Sequence, residues 1–275
     1  VDALGNGTWE RFGFNLDNGE VLDAILRIVA SDSLRLASLH CHLGTYINDP
    51  MAYRQATARL AELLIAAEGL TGSPIPYINL GGGFPSSNTL GAAYGEGDPD
   101  GPDIEPFAEA ICEELHAAFD GRRVMPTLIL ESGRYLVDDS GSLITTVVGT
   151  RRLASGERGL VLDAGLNALY TAHWYRHRVL PTQPIPGPVE ETTLHGPLCM
   201  NIDVLRASLP LPPMSPGHRA LISPVGAYNV TQWMQFITLR PAVVMISADG
   251  RVAPIRRGER LDDLETLEEV PEWLR

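Results

Sequence analysis

Three apolar runs in the first half of the chain each end in residues that can do chemistry. The first run is followed by two histidines, a cysteine and a threonine, the second by three glycines, and the third by an acid and a base. These residues are His40, Cys41, His42 and Thr45; Gly81, Gly82 and Gly83; and Glu131 and Arg134. Because the active sites of parallel βα proteins lie at the carboxyl ends of the strands, we expect these residues to share one site.

Each of these groups has a structural interpretation beside the chemical one. Three glycines after a strand let backbone N–H groups approach an anion such as phosphate, and the same run also makes a tight turn. Glu131 and Arg134 form either a simple ion pair or an acceptor and an anion clamp in one cavity. His40 and His42 share one face of a strand, a spacing that metals use, but no third ligand with supporting spacing follows, so no metal is predicted.

The elements that must position these residues alternate along the first 138 positions. Helical spacing is found in NGEVLDAILRIVA, in MAYRQATARLAELLIAAEG and in IEPFAEAICEELHAAF. Each is followed by an apolar run typical of a strand: LRLASLHCHLG, PYINLGGGFP and PTLILESGRYLV. This alternation predicts parallel βα units. Within the third helix, Cys112 is expected in the core.

The pattern changes from about Asp139 to short β-rich runs with frequent turns, among them SLITTVVGTRR, GLVLDAG and ALISPVGAY. We therefore predict an α/β domain at residues 1–138 and a second, mainly antiparallel domain at residues 139–275. The acidic end of the second domain is expected to be a solvated, partly helical tail.

Composition narrows the classes of partner and compartment. The chain has 34 acidic and 21 basic residues, a net charge of −13, and all its basic residues are arginine. Such a surface repels nucleic acid and anionic lipid, so neither is expected as a partner. No long apolar run and no signal-peptide pattern is visible, and three cysteines without CxxC spacing fit a reducing compartment. A cytoplasmic location is therefore expected.

Six motifs follow one another along the chain, and their order is as informative as their sequences: SLHCHLGTYI, NLGGGFP, LESGRYLV, LVLDAGLNALY, HGPLCMNIDVL and SPVGAYNVTQWMQF. Together they resemble the alanine-racemase-like (fold type III) pyridoxal-phosphate decarboxylases, the group of diaminopimelate and ornithine decarboxylases. The resemblance implies the C-terminal part of a (β/α)8 TIM-type barrel, followed by an antiparallel β-sandwich or β-barrel domain. It also implies pyridoxal 5'-phosphate as the cofactor.

The resemblance implies which residues hold that cofactor. His42 would stack on the pyridine ring, and Gly81 to Gly83 would hold the phosphate with help from Thr45 and Tyr228. Glu131 would bond the pyridinium nitrogen, which keeps that nitrogen protonated and the ring an electron sink.

Substrate and reaction residues are implied in the same way. Arg134 would bind phosphate or the substrate carboxylate, and Cys199 would be offered across a homodimer interface to reprotonate the carbanion after carbon dioxide leaves. Tyr170, Met200 and Asp203 are further expected contacts of the substrate. The implied reaction is α-decarboxylation of an amino acid or amino-acid-derived metabolite, with amino-acid racemisation as the nearest chemical alternative.

The chain departs from the family in two respects that concern the substrate. Met200 stands where the familiar decarboxylases place Asp or Glu to meet a distal amine, so a contact with a free lysine or ornithine side chain would be lost. DAGLNALY lacks the family's arginine for a distal carboxylate, although Arg176 and Arg178 follow nearby. We therefore expect a substrate whose far end is modified, larger or apolar, and simple diaminopimelate is disfavoured.

A third departure concerns the cofactor itself. These enzymes bind it as an imine with a lysine from the first barrel strand, and the chain contains neither lysine nor more than about three of the eight βα units. We expect an N-terminal segment with that lysine elsewhere, as a cleaved fragment, a separate chain or omitted sequence. The rival interpretation is a pseudoenzyme or binding partner that kept the fold without catalysis.

One alternative from another class is a glycoside hydrolase. Glu131 and Asp163 would then be the paired carboxylates on a barrel with a β domain.

Overall fold

The computed structural model describes residues 12–91 and 102–274. It divides the chain into two units at Asp138 and Asp139, with a short segment from Thr89 onward assigned to the second unit. Among the described residues, no helix has the length and apolar character needed to cross a membrane.

Three short parallel strands form the sheet of the first unit. They are β1 (Ser38–His40), β2 (Tyr77–Asn79) and β3 (Thr127–Ile129), in the spatial order β1-β2-β3. Their register pairs Leu39 with Ile78, and Ile78 with Leu128. Since sequential strands are neighbours and parallel, their carboxyl ends lie side by side along one edge.

Helices precede or follow each of these strands. They are α1 (Glu20–Val29), α2 (Pro50–Thr71), α3 (Glu105–Ala118) and the short α4 (Arg134–Val137). The Asp49 side chain caps α2 by accepting from the Met51 N–H, and Gly72 ends it in the left-handed conformation. Apolar faces of α2 and α3 pack with the strands into one core around Tyr53 and Ile78. The three long helices match the segments that the sequence predicts.

The expectation that Cys112 lies in the core is wrong, because its side chain is exposed. The buried stripe of α3 consists of Phe107, Ala110, Ile111 and Leu115. Cys112 is one residue beyond Ile111, and a rotation of about 100° per residue turns it away from that stripe.

The second unit is built on a six-stranded sheet. Its strands are β4 (Leu143–Arg152), β5 (Arg158–Leu162), β6 (Arg178–Pro181), β7 (Glu190–His195), β8 (Val204–Leu211) and β9 (Arg219–Ser223). The spatial order is β6-β9-β4-β5-β7-β8, which makes β8 an edge strand. A separate hairpin, β10 (Val243–Ile246) with β11 (Val252–Arg256), and a short helix, α5 (Leu261–Glu265), follow.

This sheet is mixed rather than purely antiparallel. Strands β5 and β7 pair in parallel, and the other four pairings are antiparallel. One face carries a second apolar core around Leu160, Leu194 and Ile222. The chain is therefore an α/β unit followed by a β-sheet unit.

Candidate active site

The strand ends of the first unit bring the expected residues together. Backbone hydrogen bonds continue past the strands: Cys41 N–H donates to the Asn79 carbonyl (3.0 Å), and Glu131 N–H donates to the Gly81 carbonyl (2.8 Å). The residues after β1, β2 and β3 are thus held in adjacent positions. His42, the three glycines and Glu131 meet at this edge, as the sequence pattern predicts for parallel strands.

The three glycines are required by close approaches. Gly81 has a φ of +65°, and a side chain there would place its Cβ 2.8 Å from His42 Nδ1 and 2.9 Å from the Cys41 carbonyl oxygen. Gly83 has a φ of +100°, and its Cβ would meet the Gly44 carbonyl. Gly82 lies against the backbone of Glu131 in the same way. The loop is therefore a backbone-lined cradle that no other residue type fits.

Two buried tyrosines hold this loop from behind. Tyr53, fully buried on α2, donates its hydroxyl hydrogen to the Gly82 carbonyl (3.0 Å), and Tyr46 donates to the Ser86 carbonyl (2.9 Å). Burial, and to a smaller extent Cys41, raises the pKa of Tyr53 well above its usual range. Tyr53 therefore remains a hydrogen-bond donor rather than an acid–base group.

Thr45 lies in the loop that runs beside the third glycine. Gly44 packs against Gly83 on one side of it, and on the other side Ile47 N–H donates to the Gly83 carbonyl (2.9 Å). Thr45 itself is half-buried.

Glu131 is oriented by a residue that the sequence analysis did not single out. Asn79, the last residue of β2, donates from Nδ2 to Glu131 Oε1 (2.7 Å) and accepts from the Gly81 N–H with Oδ1 (2.8 Å). His40 Nε2 lies 3.9 Å from the same carboxylate oxygen. A polar residue at the end of an apolar strand was the available signal. Asn79 links the carboxylate of Glu131 to the glycine cradle.

His42 is held as a neutral ring. The Gly82 N–H donates to His42 Nδ1 (3.3 Å), which requires a lone pair on that nitrogen. Partial burial lowers the pKa of His42, the neighbouring His40 lowers it further, and Glu131 opposes the shift. A neutral imidazole beside the cradle is suited to stacking on a flat ring.

Arg134, the first residue of α4, belongs to a buried polar network. Its Nη1 lies 3.8 Å from Asp138 Oδ2, and the Asp138 side chain is fully buried. The same oxygen accepts from Ser86 Oγ (2.5 Å) and from Asn88 Nδ2 (2.7 Å). Ser86 and Asn88 follow the glycine cradle, so Asp138 ties the segments after β2 and β3 to one carboxylate.

Cys199 and Met200 lie in a turn of the second unit that one buried carboxylate organises. Asp203 is only 3% exposed and accepts from the Leu198 N–H (2.8 Å) and the Leu166 N–H (2.7 Å). Its two oxygens are thus occupied by backbone donors, which gives Asp203 a structural role beside the substrate contact expected from the sequence. Cys199 and Met200 are exposed on this turn.

Tyr170 and Tyr228 lie on neighbouring segments of the second unit. Thr171, next to Tyr170, donates its backbone N–H (3.2 Å) and its hydroxyl (2.9 Å) to Asn229 Oδ1, next to Tyr228. Tyr228 is 42% exposed, whereas Tyr170 is half-buried and packs edge-on to Trp174.

Asp163 has a local role in the sheet. Its Oδ1 accepts from the Thr145 hydroxyl (2.7 Å) and the Thr146 N–H (2.8 Å). The carboxylate therefore joins β4 to the end of β5.

Two family models match the chain. The pyridoxal binding domain of the pyridoxal-dependent decarboxylases matches residues 5–138, and the C-terminal sheet domain of the same decarboxylases matches residues 134–226. Between them they cover most of the chain, and their meeting point coincides with the division between the two units.

Curated relatives and solved structures agree with these models. The chain is 28% identical to the diaminopimelate decarboxylase of Halalkalibacterium halodurans, over 94% of this chain and 58% of that protein. It is 32% identical to that of Actinosynnema pretiosum subsp. auranticum, over 93% of this chain and 56% of that protein. The crystal structure of diaminopimelate decarboxylase from M. jannaschii in complex with L-lysine superposes with a TM-score of 0.85 at 26% identity, over 98% of this chain and 60% of that one. The chain thus spans less than two thirds of these relatives.

Proposed function

Since the chain belongs to the pyridoxal-dependent decarboxylase family, we propose that it carries out pyridoxal-phosphate-dependent α-decarboxylation of an amino acid or amino-acid-derived metabolite. The observation that supports this most directly is the glycine cradle beside Glu131 and His42. A phosphate needs backbone N–H groups without intervening side chains, and a pyridine ring needs a carboxylate for its nitrogen.

The residues of the first unit fit this cofactor. Gly81 to Gly83 and Thr45 would hold the phosphate, His42 would lie against the ring, and Glu131 would bind the ring nitrogen. Pyridoxal phosphate, when bound, supplies an electron sink for the bond that breaks at the substrate α-carbon. The Asn79 hydrogen bond fixes the Glu131 carboxylate, so Glu131 can keep a proton on the ring nitrogen without moving. Tyr228 of the second unit is a further proposed phosphate contact.

A separate N-terminal segment is part of the proposal. The chain contains no lysine, and the relatives it matches are longer by about two fifths of their length. We infer that the missing part carries the cofactor lysine and completes an eight-stranded barrel from the three strands described here. A cytoplasmic location stays a prediction from the cysteine usage.

Cys199 is the proposed proton donor at the α-carbon. Its thiol is exposed on a turn whose backbone is fixed by Asp203, so it is available to a site outside its own fold unit. We propose that a homodimer brings Cys199 of one protomer to the cofactor of its partner. Arg134 and Tyr170 are the proposed contacts of the substrate carboxylate and body.

Met200 supports a substrate without a free distal ammonium. Its thioether is exposed next to Cys199 and offers no charge to an amine. The M. jannaschii structure holds L-lysine, so a basic product of that kind is the natural comparison compound. We propose that this protein prefers an amino acid whose far end is uncharged or modified.

The test uses the full-length protein with its N-terminal segment. We expect an absorbance band from the bound cofactor, and borohydride should remove this band. After the reduction, the mass of one lysine-containing peptide should increase by the mass of the reduced cofactor. A panel of L- and D-amino acids is then screened, and we expect the enzyme to release carbon dioxide from its substrate. Glu131→Gln should abolish this release. Glu109→Gln, a change at an exposed position on α3, should not. A bound band with no turnover would support the pseudoenzyme, and loss of chirality without carbon dioxide would support a racemase.

A further inference from the structure

A cavity is lined entirely by residues of the sheet unit. It has a volume of about 520 Å³ and lies between the start of the edge strand β8 and the segment that precedes β6. Its lining includes Arg176 and Arg206, with Gly91, Tyr175 and Leu205 around them. Volumes of this order are typical of small-molecule sites.

Arg206 presents an unsatisfied cation to this cavity. The Arg206 side chain is partly buried, and its Nη1 is buried without a hydrogen-bond partner in the part of the chain that the structure describes. Burial lowers the pKa of Arg206, and the nearby charge of Arg176 lowers it further. Arg176 donates from Nη2 to the Gly91 carbonyl (2.8 Å). This bond holds the guanidinium at the edge of the cavity and does not involve its Nε or Nη1 donors.

No described carboxylate pairs with either arginine. The ion pairs found within residues 12–91 and 102–274 involve other cations. Ser208, a further polar residue of the lining, donates its hydroxyl to Glu191 (2.8 Å) and is thereby engaged. The cavity therefore contains two positive charges and no negative one from the described residues.

Another buried arginine in the same sheet shows how such a charge is normally compensated. Arg158 donates to the Thr192 hydroxyl (2.8 Å) and to the Leu211 carbonyl (2.6 Å), and lies 3.2 Å from Glu190. A buried guanidinium without such partners is costly. Within residues 12–91 and 102–274, Arg206 Nη1 has no such partner, and an external anion would supply one.

We propose that this cavity binds a small molecule through a carboxylate or phosphate group, with Arg206 and Arg176 as its ligands. Guanidinium groups bind both kinds of oxyanion through paired N–H donors, so the two share one recognition chemistry. All the lining residues belong to the sheet unit.

The experiment uses the full-length protein loaded with pyridoxal phosphate, so that the glycine cradle is already filled. Inorganic phosphate and succinate are titrated by calorimetry at constant ionic strength, with chloride as the reference anion. We expect saturable binding of at least one of the two, and the one that binds tells phosphate from carboxylate. Arg206→Gln should weaken it at least tenfold and Arg176→Gln to a smaller extent, whereas Arg178→Gln, an exposed position on β6 outside the lining, should leave it unchanged.

Two results would overturn the proposal. One is that neither anion binds more tightly than chloride. The other is that binding persists in Arg206→Gln. Thermal unfolding gives a further check: if Arg206→Gln lowers the melting temperature by the same amount with and without anion, the charge is compensated inside the protein and the cavity is not an anion site. If the variant loses only the anion-dependent part of the stabilisation, the proposal is supported.

Discussion

Gly82→Ala tests why the cradle needs glycine at this position. The need can come from the close contact between Gly82 and the neighbouring backbone or from a backbone conformation that only glycine adopts. The φ of Gly82 lies outside the left-handed region, so alanine is not strained there by its own backbone. Its Cβ would instead lie 3.2 Å from the Glu131 carbonyl carbon and closer still to the oxygen. Ordinary van der Waals contact with a Cβ begins at 3.4 Å. The oxygen is the nearer of the two atoms, so the loops after β2 and β3 must part by roughly 1 Å to relieve its contact.

The size of the effect follows from what that movement breaks. The loops are joined by the Glu131 N–H to Gly81 carbonyl bond (2.8 Å) and by the Asn79 to Glu131 bond (2.7 Å), and neither survives a shift of that size. Overpacking of this kind costs about 1–3 kcal/mol of stability. Because Glu131 and the cradle would no longer be in register, we expect cofactor affinity to fall about 10- to 100-fold, which corresponds to about 1.4–2.8 kcal/mol.

The assay is a titration of the full-length apoprotein with pyridoxal phosphate, read by absorbance, alongside thermal unfolding. Gly69→Ala is the matched control, because a Cβ there meets nothing within 4 Å and the residue is an exposed interior position of α2. It should leave affinity unchanged and raise stability by about 0.5–1 kcal/mol. If Gly82→Ala bound the cofactor within twofold of the wild type, the close approach to Glu131 would not matter and the reasoning would be refuted.

Three further outcomes follow from buried carboxylates and cysteines. Asp138→Asn should destabilise the protein by about 2 kcal/mol, because an amide nitrogen would replace an oxygen that accepts from buried donors. Asp139→Asn is the control, because Asp139 is exposed and its substitution should change the stability little. The free energy of unfolding of both variants is measured in urea. Asp203→Asn should cost about 1.5–3 kcal/mol in the same measurement, since one of two backbone N–H groups loses its acceptor. Burial raises the pKa of Cys41 to about 11, so Cys41 stays protonated at pH 8; iodoacetamide mass mapping should label Cys199 there and label Cys41 only as the pH approaches 11. Equal labelling of the two thiols at pH 8 would contradict the burial.

The positions that sequence reasoning located best are those fixed by chain topology. Parallel strands in sequential order must place their carboxyl ends together, so the neighbourhood of His42, the glycines and Glu131 follows from the alternation of helices and strands alone. Asn79 lies at the same edge, and its position at the end of an apolar strand is only a weak signal, because a single amide there is common and its role depends on its partners.

Long-range pairing and helix orientation were harder to predict. Asp138 contacts Ser86 and Asn88 across about fifty residues, and nothing in the local sequence indicates that contact. Cys112 is expected in the core as part of an apolar helix face, whereas the buried stripe of α3 runs through Ile111 and a rotation of one residue turns Cys112 away from it. The parallel pairing of β5 with β7 likewise depends on the whole sheet and not on either strand.

The motifs of the second unit acquire a physical meaning once Asp203 is placed. A Cβ on Gly165 or on Gly196 would collide with the Asp203 carboxylate, so both glycines are needed to admit it. The two segments LVLDAGLNALY and HGPLCMNIDVL are therefore built around one buried carboxylate, as the three glycines of the first unit are built around a close backbone approach. In both units, the glycines of the recognisable motifs stand where a side chain would collide with an oxygen atom. That space fixes the turn that carries Cys199, which is why a thiol can be exposed there and still be held in one place.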